Sequence, residues 1–292
     1  PSTVVKGTLK ILNAGDSTQP TFSPSQSLDV GSFDQSSGVF NAGALTHVIK
    51  SNFTVGTGAV FNADSSTIQF TSGPSHQISS AAALNNLQID AANTVELTAN
   101  LSVKNDLNIL GALHAAAFDV SVLEGDVSIT GELTSTTGSI TLQSDGTFGG
   151  SGLVSIFNLL LSNAAAPATT VLTGNVTLTN QLTVESNRIL EAGAFSIRLE
   201  GTGAGASQPF LVNGVFNSGT STVEYAPVSV STAEIAGLAY KNLTLQGLAG
   251  SQLSLPGNAS VSGTLNAADA DVTLTIDGVM DLGTTGVLDE GS

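Results

Sequence analysis

The chain alternates apolar and polar residues over stretches of only a few residues, and Gly, Asn or Asp interrupts nearly every stretch. TVELTANLSV places Val95, Leu97, Leu101 and Val103 at every second position within its runs. NVTLTNQLTV does the same with Val176, Leu178, Leu182 and Val184, and DVSITGELTSTTGSITLQ with Val127, Ile129, Ile140 and Leu142. A period of two in residues rich in Val, Ile, Leu and Thr predicts strands. The Ala clusters SSAAAL and ALHAAAF are too short for helices and lack caps. A strand this short, with one apolar face, has no stable solution alone. It must be stacked on many others like it.

The stacking is visible as internal repetition. AVFNADSSTIQF, from Ala59 to Phe70, aligns without a gap on GVFNSGTSTVEY, from Gly214 to Tyr225. The alignment sets Phe61 on Phe216, Ile68 on Val223 and Phe70 on Tyr225. A second motif begins with Asn-Leu at Asn86, Asn158 and Asn242, and continues as NLSVKNDL from Asn100, NVTLTNQL from Asn175 and NASVSGTL from Asn258. Both motifs occur in the same order in residues 61–109 and 216–265. A third GVFNAG lies at Gly38–Gly43, which sets Phe40 one short repeat ahead of Phe61. His47 falls where Ile68 and Val223 sit, which argues against placing that copy in a regular apolar column.

The spacing from Phe40 to Phe61 fits one rung of a three-sided solenoid. Coiling sets each rung about 4.8 Å from the last, so every backbone group pairs above and below. The predicted fold is an all-β, right-handed parallel β-helix of roughly 14 rungs and roughly 65 Å. Tandem β-sandwiches are the alternative; the units are short for them, and there is no Trp to fill such a core. Residues 31–292 are expected to form the solenoid. Residues 1–30 are expected to form a strand, with Val5, Leu9 and Ile11 on one face, followed by the Pro- and Ser-containing linker NAGDSTQPTFSPSQS. Neither end reads as a helical cap. The N-terminal strand is therefore a candidate for donation to a neighbouring subunit, or the chain continues in a longer protein.

The order G-V-F-N … S-T-V-x-F/Y … N-L-x-h … N-h-x-h-x-x-x-L, with h apolar, resembles the degenerate β-strand repeats of large bacterial surface proteins. GDVSITGELTSTTGSITLQSDG is similar to the repeats of filamentous haemagglutinins and autotransporter passengers. The resemblance spans residues 31–290. It implies a secreted, surface-displayed right-handed β-helix and no catalytic residue. The sequence departs from those families in including neither a secretion domain nor a C-terminal barrel or sorting domain, either of which can lie outside this segment.

Composition narrows the function classes. Charged residues make up 10% of the chain, against about 25% in an ordinary domain, so Ser, Thr, Asn, Gln and Gly must build the surface. Seven Lys and Arg against a net charge of −16 leave no basic footprint for nucleic acid. An anionic membrane would repel the chain, and no apolar run approaches the ~18 residues of a span. Without cysteine there are no disulfides, thiolate metal sites or cysteine nucleophiles. The opening Pro1-Ser2-Thr3 reads as a mature or excised segment.

Residues able to carry chemistry are scattered. His47, His76 and His114 lack any metal-ligand spacing and are expected at surfaces or corners. Acid pairs for a polysaccharide-cleaving β-helix would be Asp269 with Asp271, Glu124 with Asp126, or Asp289 with Glu290. Arg188 and Arg198 are expected in ion pairs on the solenoid face, near Glu191 and Glu200. No EF-hand or calcium-binding nonapeptide occurs. The Thr-x-Thr pairs are too far apart for a continuous ice-binding array. Sequons at Asn52, Asn100, Asn175, Asn242 and Asn258 mostly follow from the Asn repeat. The expectation is a non-enzymatic, secreted structural protein without cofactors, a fibre subunit or adhesin stalk. Its partners would be copies of itself, with glycan or cell-surface contact. A carbohydrate-active enzyme or an ice- or glycan-binding module is the alternative.

Overall fold

A computed structural model describes residues 2–12, 19–71, 73, 75–162, 167–203, 207–229, 232–267, 273–283 and 287–289. The chain is all-β, with parallel strands stacked in a β-solenoid of about 12 turns. Every described strand pairing is parallel, which removes the sandwich alternative. The number of turns is lower than 14 because several rungs are longer than the Phe40-to-Phe61 step. The rung that carries Val95 to its partner Leu113 is short, whereas the one that carries Leu182 to Phe210 is much longer. The extra residues leave at corners, where insertion does not disturb the ladders.

Residues 1–140 and 141–292 form two compact units. In the first, strands fall into three ladders. One runs through Thr46–Ile49, Thr67–Phe70, Asn86–Ile89, Leu107–Ile109 and Val127–Ile129. Its inward positions form two columns: His47, Ile68, Leu87, Leu107 and Val127, and beside them Ile49, Phe70, Ile89, Ile109 and Ile129. All ten residues are at most 2% exposed. A second ladder runs through Phe53–Val55, His76–Ser80, Thr94–Leu97, Ala112–Ala116 and Glu132–Ser135. In the third, Phe22, Phe40 and Phe61 stack on consecutive rungs. The Phe40 and Phe61 rings lie 5.4 Å apart and 15° from parallel, so the step between them is one rung. The second unit repeats the pattern, with Val176, Ile197, Val223, Leu243 and Leu265 in one column.

The three VFN copies share one turn. The residue three places after each Phe has positive φ: Gly43 (65°), Asp64 (47°) and Gly219 (53°). Glycine adopts that conformation without strain, and Asp is among the few side chains that tolerate it. The copy at Gly38–Gly43 is therefore regular, and His47 does sit in an apolar column. It is 2% exposed and pairs directly with Ile68. The reason for its tolerance lies in its hydrogen bonds, described below.

The N-terminal strand Thr3–Ile11 lies on Leu28–Gln35 of the same chain, with Thr3 on Leu28, Leu9 on Phe33 and Ile11 on Gln35. One of its edges is thus used within the chain. Ile11 is buried, while Val5 and Leu9 are half-buried. Thr21–Phe22 joins the third ladder. Thr3–Ile11 and Thr21–Phe22 thus both pair within the chain; residues 13–18 of the expected linker lie outside the described set.

Where rungs meet closely, glycine is required. A Cβ on Gly131 would lie 1.7 Å from the Gly111 carbonyl oxygen, whereas one on Gly7 meets nothing within 4 Å. Gly131→Ala is expected to destabilise the protein by about 1–3 kcal/mol through forced backbone movement. Gly7→Ala is expected to stay within about 0.5 kcal/mol of wild type. Thermal denaturation of the two variants checks both.

Candidate functional site

The Asn motif occupies the corners that join one strand to the next. A residue just before a strand leaves its ladder there, and the amide of the following rung lacks a ladder partner. The Asn side chain supplies one. Asn100 Oδ1 accepts the Asp119 backbone N–H at 3.0 Å, Asn175 Oδ1 accepts that of Ser196 at 2.9 Å, and Asn258 Oδ1 accepts that of Val279 at 3.0 Å. Asn52 and Asn242 do the same for Gln77 and Thr264, both at 3.1 Å. All five sequon asparagines are therefore rung-to-rung clips. Asp supplies the same contact: Asp106 accepts from Asp126, Asp119 from Ser139 and Asp145 from Thr169. Side-chain amides also bridge rungs, as in Asn62 to Asn41 and Asn180 to Asn158, each at 2.7 Å. The repeat was legible in the sequence as a strand start. The clip was not, because its partner is fixed by register.

The apolar repeat positions face inward. Ile68, Phe70, Val223 and Tyr225 are at most 1% exposed, Phe61 is buried and Phe216 is half-buried. Tyr225 ends in a buried pair with Tyr240. The Tyr240 hydroxyl donates to the Ala236 carbonyl at 2.7 Å. The Ala236 N–H donates to Tyr225 Oη at 2.9 Å, which leaves the Tyr225 hydroxyl proton for Tyr240 Oη at 3.1 Å. Burial pushes the Tyr225 hydroxyl up to about 12 and raises that of Tyr240 as well, so both are protonated donors.

Two of the histidines are internal, correcting the surface expectation. His47 Nδ1 accepts the Leu28 N–H at 3.2 Å, so its proton lies on Nε2, which donates to the Ala42 carbonyl at 2.9 Å. The neutral ring is fully matched. His76 is fully buried, with Nδ1 3.0 Å from the Ser51 carbonyl and Nε2 near the Gly73 carbonyl and Asn93 Oδ1. His114 is half-buried on the outside, 3.8 Å from Glu132.

The two arginines differ. Arg198 lies on the outer face, 2.8 Å from Glu200 just past the end of its strand and paired with Glu224 on the next rung, as the ion-pair reading expected. Arg188 corrects that reading: it is fully buried and bonds Ser144 and Thr170 rather than Glu191. Glu191 accepts from Asn217 instead. Glu124 and Asp126 are exposed turn residues. Asp269, Asp271, Glu290 and the side chain of Asp289 lie outside the described set. Among the described residues no three His, Asp or Glu converge as a metal site.

No family model, curated protein or solved structure matches the chain.

The corner and column contacts can each be tested. Asn175→Ala is expected to weaken protection of the Ser196 amide by up to about tenfold, as for loss of one hydrogen bond of about 0.5–1.5 kcal/mol. Asn175→Asp keeps the acceptor and should exchange like wild type; amide hydrogen exchange measures both. Burial holds the His47 imidazole below its ordinary value, against the opposing bond to Ala42. In the unfolded chain the ring takes up its proton near pH ~6.5. Below that pH the unfolded state binds more protons, so the His47 contribution is complete above about 6.5 and is lost as pH falls. Melting curves between pH 7 and 5 should show a steeper decline for wild type than for His47→Gln.

Proposed function

We propose that the protein is a non-enzymatic, secreted structural solenoid, serving as an extracellular fibre subunit or a stalk that carries an adhesive partner outward. The observation that supports this most is where the side-chain hydrogen bonds go. Asn52, Asn100, Asn175, Asn242 and Asn258 all tie one rung to the next. The ladders and inward columns run in the same direction, so axial cohesion is the property that the repeat reinforces. A chain with few charges and many Ser and Thr on outward strand positions suits an exposed, protease-resistant surface. Assembly would extend strand edges, as each rung does within the chain. Thr3–Ile11 uses one edge on Leu28–Gln35, and its other edge is the one a second copy would continue.

The test is antibody labelling of intact producing cells and their medium, with negative-stain microscopy of the purified protein. Surface or medium labelling is expected, with filaments for a fibre subunit and isolated short particles for a stalk. Labelling that appears only after permeabilisation would overturn the reading.

A further inference from the structure

Among the described residues, Arg188 is the largest fully buried side chain. It lies in the unit of residues 141–292, on an inward position directly over Ala168. Ala168 offers only a methyl group, so the long side chain can run past it along the solenoid axis. Its Nη2 reaches the Ser144 carbonyl and the Thr170 hydroxyl, both at 2.8 Å. Both acceptors are neutral. Nε and Nη1 are buried and have no hydrogen-bond partner among the described residues. Among those residues no carboxylate lies within 4.0 Å of the guanidinium. The acid that acts on it electrostatically is Asp145, which is exposed and whose Oδ1 already accepts the Thr169 N–H.

A guanidinium does not shed its proton in a protein. A buried cation with neutral partners is strongly unfavourable unless a counter-charge joins it. Carbonyl, hydroxyl or water oxygens can match the N–H groups but leave the net charge uncompensated. We propose that Arg188 holds a small monovalent anion of the chloride class inside this unit, through Nη1 or Nε. Full burial selects against carboxylate-bearing ligands, phosphate and sulfate, which are larger or doubly charged. The anion would be part of the folded state, so stability should depend on its concentration by mass action.

The test has two arms. Wild-type crystals soaked in bromide should show an anomalous peak at contact distance from Nη1 or Nε. In solution, replacing gluconate by chloride at constant ionic strength should raise the melting temperature of wild type, and Arg188→Met should lose that dependence. A bromide crystal with no anomalous density beside Arg188 would sink the proposal, and so would chloride and gluconate melting curves that coincide. Both wild-type measurements decide the question even if Arg188→Met does not fold.

Discussion

Everything in this structure depends on the parallel backbone ladder between successive rungs. Once Leu107 is set on Leu87 and Val127 on Leu107, the inward or outward sense of each neighbouring residue is fixed too. The ladder tolerates variation only where it is absent, at the corners. That is why the rung from Val95 to Leu113 and the longer one from Leu182 to Phe210 obey the same pairing rule. It is also why the column through Ile49, Phe70, Ile89, Ile109 and Ile129 continues without a break. Corners in turn release backbone N–H groups from the ladder, and the Asn and Asp clips recover them. The recurring Asn is thus a consequence of the ladder's one weakness.

The apolar columns were legible because strand periodicity is local. Phe61, Ile68 and Phe70, with Phe216, Val223 and Tyr225, could be matched and assigned to strands before any register was known. Polar residues inside the solenoid were not legible, since a polar residue in a period-two pattern reads as outward. His47 is instructive. Repeat alignment set it on Ile68, which is its partner in the ladder. Chemical expectation argued against a place for it in a regular apolar column. Alignment was the better guide, because a neutral imidazole with both nitrogens matched behaves as a flat apolar ring. It even packs edge-on against Phe40, at 5.6 Å between ring centres. Arg188 had no such guide, as neither repeat motif covers it.

The internal polar groups share a location. His47 bonds Ala42, His76 bonds Ser51 and Gly73, and the Tyr225–Tyr240 pair bonds Ala236. All these partners are backbone groups between strands, not within them. Most strand carbonyls already serve the neighbouring rung, so inward side chains draw chiefly on corner acceptors; buried Gln35 reaches the Val60 carbonyl at a strand start as well as that of Gly38. A buried polar residue is therefore admitted where a corner carbonyl lies within reach. Arg188 follows the rule with Ser144, but it carries more donors than the corner has acceptors.

The same spacing explains the low charge of the chain. In a parallel in-register stack, a residue repeated at one position recurs about 4.8 Å along the axis. Two like charges at about 4 Å repel by roughly 1 kcal/mol even in water, and by more near the protein surface. A repeating sequence that placed charges outward would build such columns by duplication alone. Here Asp34 stands between Lys10 and Thr54, Glu224 between Arg198 and Thr244, and Glu96 beside His114. Asp106 and Asp126 do follow one another, and there Asp106 turns its Oδ1 onto the Asp126 backbone N–H. Outward Ser, Thr, Asn and Gln can stack on copies of themselves without repulsion. The scarcity of charge that set this sequence apart is thus what repetition along a parallel ladder requires.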